Sequence, residues 1–216
     1  IAALQGAFSE HLQLLRKATT APPVHFPQFN FIPVRTPEEL ALCDALILPG
    51  GESTTISLIA ERSNLLEPLR QFVKLNAKPV WGTCAGMILL SERANRTKRG
   101  GQQLIGGLDV VINRNHFGRQ IESFECALHM PFLEQGEVGF RGVFIRAPVV
   151  ENLLDAAEAA SARIPRGNIV AVRQGNVVGT SFHPELTSDV RMHRWWLGEV
   201  VKAVQGERER VRAAVQ

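Results

Sequence analysis

The segment Pro79-Val80-Trp81-Gly82-Thr83-Cys84-Ala85-Gly86-Met87-Ile88-Leu89-Leu90 sets the architecture of this chain. Its first residues form an apolar run typical of a buried strand, and its last four form an apolar run typical of a helix. Between the two runs, Cys84 has a glycine two residues away on each side, which is the thiol form of a nucleophile elbow. At such a turn, backbone N–H groups and the helix dipole favour a thiolate. The pattern predicts that Cys84 is a catalytic nucleophile.

A candidate base for this nucleophile lies in the C-terminal third, in Thr180-Ser181-Phe182-His183-Pro184-Glu185. Pro184 excludes a helix at this point and favours an extended conformation at His183. Because residues i and i+2 of an extended segment project to the same side, Glu185 can reach the imidazole and fix its tautomer. We therefore predict that His183 is the base for Cys84 and that Glu185 orients it.

A glycine turn follows the apolar run at residues 45–48 and has the sequence Pro49-Gly50-Gly51-Glu52-Ser53. Consecutive glycines allow backbone N–H groups to approach a ligand closely. We predict that the N–H groups of Gly51 and Ala85 form an oxyanion hole, because Ala85 directly follows the nucleophile. The loss of one such donor typically raises a barrier by about 3 kcal/mol.

Short apolar strands alternate with helical patterns, which predicts βα units around a mainly parallel sheet and hence an α/β fold. Strands are predicted at residues 1–4, 29–34, 45–48, 79–81, 109–113, 123–128, 142–145, 168–173 and 176–182. Helices are predicted at residues 8–17, 54–61, 65–75, 85–94 and 188–204. The catalytic segments all fall at strand ends, where open α/β sheets bind ligands. We predict one domain over residues 1–204 and a charged tail, helical or disordered, over residues 205–216.

Size and composition exclude several classes of protein. A chain of 216 residues with 45% hydrophobic and 21% charged residues suits one soluble α/β domain. Cys43, Cys84 and Cys126 lack the spacing of a disulfide framework or a zinc site, so we predict no metal and a cytoplasmic location. The chain has no apolar span of membrane length, and we predict no membrane partner. The basic residues at 93–99 contain no aromatic residue, so we predict no nucleic-acid partner.

Six segments, three of them described above, carry a resemblance to a known family, and they run in order from Leu4 to Leu186. They are Leu4-Gln5-Gly6-Ala7-Phe8, Pro49-Gly50-Gly51-Glu52-Ser53-Thr54-Thr55, Gly82-Thr83-Cys84-Ala85-Gly86, Arg114-Asn115-His116-Phe117-Gly118-Arg119-Gln120, Phe144-Ile145-Arg146-Ala147-Pro148 and Ser181-Phe182-His183-Pro184-Glu185-Leu186. Together they resemble the glutaminase subunit of pyridoxal 5′-phosphate synthase, a class I, triad-type glutamine amidotransferase. Each motif alone is weak to moderate evidence for this family, whereas six motifs in the family's order are a very specific match.

The resemblance implies a three-layer, flavodoxin-like fold, with helices on both faces of a mainly parallel sheet and a few antiparallel strands in the C-terminal half. It implies hydrolysis of L-glutamine to L-glutamate and ammonia by Cys84, His183 and Glu185, without a cofactor. A barrel-shaped synthase subunit would receive the ammonia within a hetero-oligomer and build pyridoxal 5′-phosphate. The residues implied for glutamine binding are Gly51, Glu52, Ser53, Arg114, Ile145 and Arg146. Gln5 matches a residue near the oxyanion site and the partner contact.

Two loops and three histidines of the sequence have no role that the resemblance assigns. The loops at residues 19–33 and 95–103 are longer than the family usually carries, and the second is basic. His116 lies within one of the six motifs and is a candidate for contact with the substrate or the partner. His11 and His193 lie on predicted helix faces and are interpreted as solvent-exposed or packing residues.

Three other functions remain open for the same residues. The protein could supply ammonia to a different synthase, since only the docking surface would differ. It could be a γ-glutamyl hydrolase or peptidase, which needs an open cleft instead of a small enclosed pocket. A non-enzymatic module with a decayed site is the last alternative, and the intact Cys84, His183 and Glu185 argue against it.

Overall fold

The computed structural model describes residues 1–20, 26–95, 102–114, 123–133, 139–154 and 168–215. The strands in these ranges are β1 (Leu46–Leu48), β2 (Val80–Thr83), β3 (Ser91–Asn95), β4 (Leu108–Asn113), β5 (Ser123–Leu128), β6 (Phe140–Ile145), β7 (Val149–Leu153), β8 (Ala171–Gln174) and β9 (Val177–Thr180). The helices are α1 (Phe8–Thr20), α2 (Pro37–Ala41), α3 (Ser53–Arg62), α4 (Leu66–Arg70), α5 (Ala85–Leu90) and α6 (Arg191–Val215). A π-helical turn, Gln71–Leu75, continues α4, and a 3-10 turn, Pro184–Leu186, follows β9.

The central sheet has the strand order β1-β2-β9-β8. The strands β1, β2 and β9 are parallel, and β8 pairs with β9 as an antiparallel hairpin. The sequence pattern of two adjacent strands at 168–173 and 176–182 corresponds to this hairpin, whose two-residue turn is Gly175-Asn176. Gly175 has a φ of +54°, which glycine adopts without a steric penalty. The carboxyl ends of the three parallel strands therefore meet at one edge of the sheet.

The sheet continues beyond β1 through isolated backbone contacts. The N–H of Ala2 donates to the carbonyl of Ile47 at 2.9 Å, and Ala2 forms a parallel bridge with Val34. The predicted strands at residues 1–4 and 29–34 are reduced to this bridge. Pro33 precedes Val34 and has no N–H to donate to a ladder. The order Val34, Ala2, β1, β2, β9 is that of the flavodoxin-like fold, as expected.

Two apolar clusters lie on the two faces of the central sheet. Leu46 and Leu48 point into one cluster, together with residues of α3, α4 and α5. Ile47 and Trp81 point into the other, together with residues of α1 and α6. Successive side chains of a strand face opposite sides, so a strand that is buried on both faces reads as one apolar run. The predicted three-layer arrangement is thereby confirmed.

The second half of the chain adds a three-stranded sheet, β3-β4-β7, and a two-stranded ribbon, β5-β6. The predicted helix at residues 85–94 was wrong at its end, because α5 stops at Leu90 and residues 91–95 form β3. Ser91 Oγ donates to the carbonyl of Ile88 at 2.7 Å, and the following backbone pairs with β4. Strand pairing here overrides a weak local helical preference. Sequence reasoning also missed α2 and β7.

The last helix, α6, runs without a break to Val215. Of the two alternatives stated for the charged tail, the structure therefore contains the helical one through residue 215. Lys78 Nζ lies 2.9 Å from Glu207 Oε2, which connects this part of α6 to the segment before β2. The division into a domain and a tail stays a prediction. Among the described residues, no helix combines the length and the apolar character needed to cross a membrane.

Candidate active site

Cys84 occupies the turn between β2 and α5 and is buried. Its backbone has a φ of 48° and a ψ of −101°, a conformation that residues with a Cβ adopt only under strain. The turn closes because its neighbours are small. A Cβ on Gly86 would lie 2.0 Å from the backbone oxygen of Leu48, and a Cβ on Gly82 would lie 2.5 Å from the carbonyl carbon of Gly86. The predicted strand-turn-helix elbow is present.

The imidazole of His183 lies between Glu185 and Cys84. His183 Nδ1 is 2.7 Å from Glu185 Oε1, and the same ring lies close enough to the Cys84 side chain for that side chain to raise its pKa. The backbone of His183 is fixed by its N–H, which donates to the carbonyl of Val143 in β6 at 2.8 Å. The structure therefore brings together the predicted nucleophile, base and orienting carboxylate, which are the groups that acyl transfer requires.

The charge state of His183 follows from these contacts. Burial lowers the pKa of His183, but the hydrogen bonds and charges of Cys84 and Glu185 outweigh that effect and raise the pKa to about 10. Glu185 is buried, so its charge acts on the ring with little screening by solvent. A protonated ring beside the sulfur can donate a proton to a leaving amine.

We expect the His183 ring to stay protonated through neutral pH and to lose its proton only near pH 10. Because its pKa in the folded protein lies above the ordinary value of 6.5, its contribution to stability is complete below about pH 6.5. That contribution is lost as the pH rises through about 10. NMR titration of the ring resonances measures this, and Cys84→Ala should lower the midpoint by removing a partner of the imidazolium. A wild-type ring that titrates near pH 6.5 would contradict the assignment.

The glycine turn after β1 lies directly against the triad. A Cβ on Gly50 would lie 2.4 Å from His183 Cε1 and 3.4 Å from the Cβ of Cys84. Any larger residue at position 50 would therefore displace the imidazole. The turn is placed where the oxyanion hole was predicted, and the donor roles of the Gly51 and Ala85 N–H groups stay predictions.

Gln5 lies on the other side of this turn. Its Oε1 atom accepts a hydrogen bond from the N–H of Glu52 at 2.8 Å. A Cβ on Gly51 would lie 2.4 Å from the same oxygen. The predicted location of Gln5 beside the oxyanion turn agrees with these distances, and its role in activation by a partner stays a prediction.

Three of the predicted glutamine-binding residues converge at the start of α3. Glu52 caps this helix and accepts hydrogen bonds from the N–H groups of Thr54 and Thr55, at 3.3 Å and 2.7 Å, and from both hydroxyls. Burial raises the pKa of Glu52, but these hydrogen bonds lower it to about 2, so the group is a carboxylate. Arg114 Nη2 donates to Ser53 Oγ at 2.9 Å and lies 3.8 Å from Glu52 Oε1. This cluster presents both charges that an amino acid zwitterion requires.

The remaining predicted residues lie at the end of β6. Ile145 is the last residue of that strand and is partly exposed. Arg146 follows with a φ of 43°, and strained non-glycine residues of this kind concentrate at functional sites. The described contacts do not join either residue to Glu52, so their role in binding glutamine stays a prediction. His116 lies outside the described residues.

Sequence reasoning missed the surroundings of Glu185. His11 and His193 are both fully buried, so the solvent-exposed alternative was wrong for them. His11 Nε2 lies 3.2 Å from Thr83 Oγ1 and 3.4 Å from Glu185 Oε2, and His11 Nδ1 lies 2.9 Å from His193 Nε2. The signal was the helical spacing of His11 with three apolar positions of α1. Those buried positions are Leu14, Leu15 and Ala18.

Within the described ranges, no group of three or more His, Cys, Asp or Glu side chains could hold a metal ion. The three cysteines are free thiols. The chemistry that the described arrangement offers is nucleophilic attack by a sulfur, with proton transfer by an imidazole that a carboxylate orients.

Comparison with known proteins places this site in a family. The chain is 50% identical to the pyridoxal 5′-phosphate synthase subunit PdxT of Streptomyces coelicolor, over 90% of this chain and 89% of that protein. It is 41% identical to the probable pyridoxal 5′-phosphate synthase subunit PDX2 of Arabidopsis thaliana, over 95% of this chain and 87% of that protein. A crystal structure of a glutamine amidotransferase matches with a TM-score of 0.78 at 40% identity, covering 92% of this chain and 96% of that one. The family model for SNO glutamine amidotransferases matches residues 1–202. With this match over nearly its whole length, the chain belongs to the SNO glutamine amidotransferase family.

Proposed function

We propose that the protein hydrolyses L-glutamine to L-glutamate and ammonia, as the glutaminase subunit of a pyridoxal 5′-phosphate synthase. The observation that carries this proposal is the placement of His183 between Cys84 and Glu185 at a strained elbow. Family membership supports the use of glutamine. The names of the Streptomyces and Arabidopsis relatives support the choice of synthase over other ammonia-consuming enzymes.

The reaction proceeds in two halves. The Cys84 sulfur attacks the side-chain amide carbon of glutamine, and the oxyanion is held by backbone N–H groups of Gly51 and Ala85. His183 gives its proton to the departing nitrogen, which leaves as ammonia and a γ-glutamyl thioester on Cys84. His183 then takes a proton from water, which attacks the thioester and releases glutamate and the thiolate.

The substrate is clamped at the start of α3. The Arg114 guanidinium offers a forked donor for the glutamine carboxylate, and the ionised Glu52 offers an acceptor for the amino group. Ser53, Gly51, Ile145 and Arg146 complete the proposed pocket. This division of charge would select a free amino acid over a peptide, because a peptide lacks one or both terminal charges.

The proposed partner is a barrel-shaped synthase subunit, which would receive the ammonia in a hetero-oligomer. Transfer in an enclosed space keeps ammonia from water, where it would be protonated and lose its nucleophilicity. Gln5 lies beside the oxyanion turn, where a docking partner could act on the site. We place the protein in the cytoplasm, with which its three free thiols agree.

The proposal is tested by measuring glutamate release from glutamine with and without the synthase subunit of the same organism. We expect release in the complex, and formation of pyridoxal 5′-phosphate with glutamine as the nitrogen source once the sugar phosphates are supplied. A folded protein that releases no glutamate in the complex would refute the proposal. Cleavage of γ-glutamyl peptides by the isolated chain would favour a hydrolase instead.

A further inference from the structure

The buried carboxylate of Glu185 uses only one of its oxygens on His183. Its Oε1 atom is 2.7 Å from His183 Nδ1, and its Oε2 atom has no hydrogen bond within the usual criteria among the described residues. The side chain is fully buried, so water cannot readily serve this second oxygen. A buried carboxylate with an unpaired oxygen is costly, and it needs a donor if it is to remain ionised. His11 Nε2, at 3.4 Å from Oε2, is the nearest described candidate.

The contact between His11 and His193 determines which nitrogen of His11 carries a hydrogen. Only one hydrogen fits between His11 Nδ1 and His193 Nε2, which are 2.9 Å apart, when both rings are neutral. If His11 donated it, His193 Nδ1–H would be a buried donor without a described partner, and the lone pair of His11 Nε2 would face a carboxylate. If His193 donates it, His11 carries its hydrogen on Nε2, which forms a hydrogen bond with Thr83 Oγ1 at 3.2 Å and lies 3.4 Å from Glu185 Oε2. The second arrangement avoids both penalties.

Burial supports the neutral state of both rings. Burial lowers the pKa of His11 well below its usual value, and the charges of His193, His183 and the amino group of Ile1 lower it further. Burial likewise lowers the pKa of His193 to about 3, although Asp189 acts in the opposite direction. A neutral donor stabilises the Glu185 carboxylate without competing for the positive charge that His183 holds.

We propose that His11, held by His193, is a positioning residue whose Nε2–H, 3.4 Å from Glu185 Oε2, is the donor available to this oxygen and keeps the carboxylate aligned on His183. The inference rests on the proposed glutaminase activity. The same His11 nitrogen contacts Thr83, the residue before the nucleophile. One imidazole therefore contacts both the orienting carboxylate and the turn that carries the nucleophile. Without His11, the Glu185 carboxylate would rotate, and His183 would lose its orientation.

The test compares two substitutions of His11 in the complex with the synthase subunit. In His11→Leu the donor is absent, and we expect kcat for glutamate release to fall roughly 10- to 100-fold, the cost of an unpaired buried acceptor. The KM for glutamine should stay within about twofold, because the substrate clamp is untouched. His11→Gln keeps an N–H at a similar reach and should restore most of kcat. Leu15→Ala, one turn along the same buried face of α1, is the control for lost packing alone.

The pH profile of kcat/KM separates positioning from simple destabilisation. The basic limb should move to lower pH in His11→Leu, because His183 loses the aligned carboxylate that helps to raise its pKa, and should not move in Leu15→Ala. The titratable groups that face His11 are His183, Glu185, His193 and the Ile1 amino group, and Asp189 faces His193. If His11→Leu does not fold, His193→Leu provides a second test. It removes the ring that fixes the hydrogen of His11 on Nε2, and it should shift the limb of the pH profile in the same direction.

Two results would overturn the inference. One is a folded His11→Leu complex with wild-type kcat and an unchanged pH profile. The other is His11→Gln impaired as severely as His11→Leu, which would indicate a role of shape instead of hydrogen bonding. In both cases the wild-type complex releases glutamate, so the proposed function stands. A wild-type complex that releases none overturns that function, and this inference with it.

Discussion

Replacement of Cys84 by alanine is expected to reduce glutamate release by at least about 10⁴-fold while leaving the fold intact. The substitution removes the sulfur that forms the thioester, and no described side chain can replace it in contact with His183. The Cβ remains, so the turn keeps its geometry, and the free energy of unfolding should fall only by the lost interaction of the sulfur with the His183 imidazolium, about 1 to 3 kcal/mol. A steady-state assay in the complex, with thermal unfolding of the isolated chain, measures both quantities. Turnover near that of the wild type would refute the role of Cys84.

Cys84→Gly provides a matched comparison at the same position. It removes the sulfur and also the strain that a Cβ causes at a φ of 48° and a ψ of −101°. We expect it to be as inactive as Cys84→Ala but more stable by about 1 kcal/mol, after the entropy cost of glycine is subtracted. Equal stability of the two variants would limit the strain at the elbow to the entropy cost of glycine, about 0.5 to 1 kcal/mol. The comparison therefore separates the chemical role of this residue from its conformational cost.

Replacement of Gly86 by alanine is expected to destabilise the protein by about 3 kcal/mol or more. The added Cβ would lie 2.0 Å from the Leu48 backbone oxygen and 2.8 Å from its carbonyl carbon. Both atoms belong to β1 in the central sheet, and a backbone clash of this kind is relieved only when α5 moves away from the sheet. Such a movement also shifts Cys84, so activity should fall with stability. Urea unfolding measures the loss.

Gly198→Ala is the control for this prediction. Gly198 also lies inside a helix, α6, but a Cβ there meets nothing within 4 Å. The same change should stabilise the protein by about 0.5 to 1 kcal/mol, because alanine has the better helix propensity. Opposite signs at the two positions would attribute the effect at Gly86 to its contact with β1. A neutral Gly86→Ala would contradict the tight packing of the elbow.

Much of this molecule could be predicted from local patterns. The apolar run before Gly82 and the glycines on each side of Cys84 predicted a strand, a sharp turn and a helix, since only small residues allow that turn to close. Pro184 and the two-residue spacing of His183 and Glu185 predicted an extended segment with both side chains on one side. The elbow is present in the structure, and Glu185 does reach the His183 imidazole. The extended segment was wrong, because residues 184–186 form a 3-10 turn, which accepts a proline at its first position.

Predictions were less successful where distant segments compete with local preference. Residues 91–94 carry a helical pattern but pair with β4, because the hydrogen bonds of a neighbouring strand outweigh a weak propensity. The same holds for residues 29–34, where strand-forming residues make one bridge next to Pro33. His11 shows the clearest difference. Its place on α1 was predictable, whereas its contact with Glu185 required the packing of α1 against the turn after β9.

The sequence by itself determined the elbow, the candidate nucleophile, base and orienting carboxylate, and the family, because each is encoded by residue types at short spacings. Only the tertiary structure decided which groups surround them. The approach of Gly50 to His183, the cluster of Glu52, Ser53 and Arg114, and the buried histidine pair behind Glu185 all join segments that are far apart in the chain. Such contacts arise from the way in which parallel strands bring their carboxyl ends to one edge, and no local pattern records them.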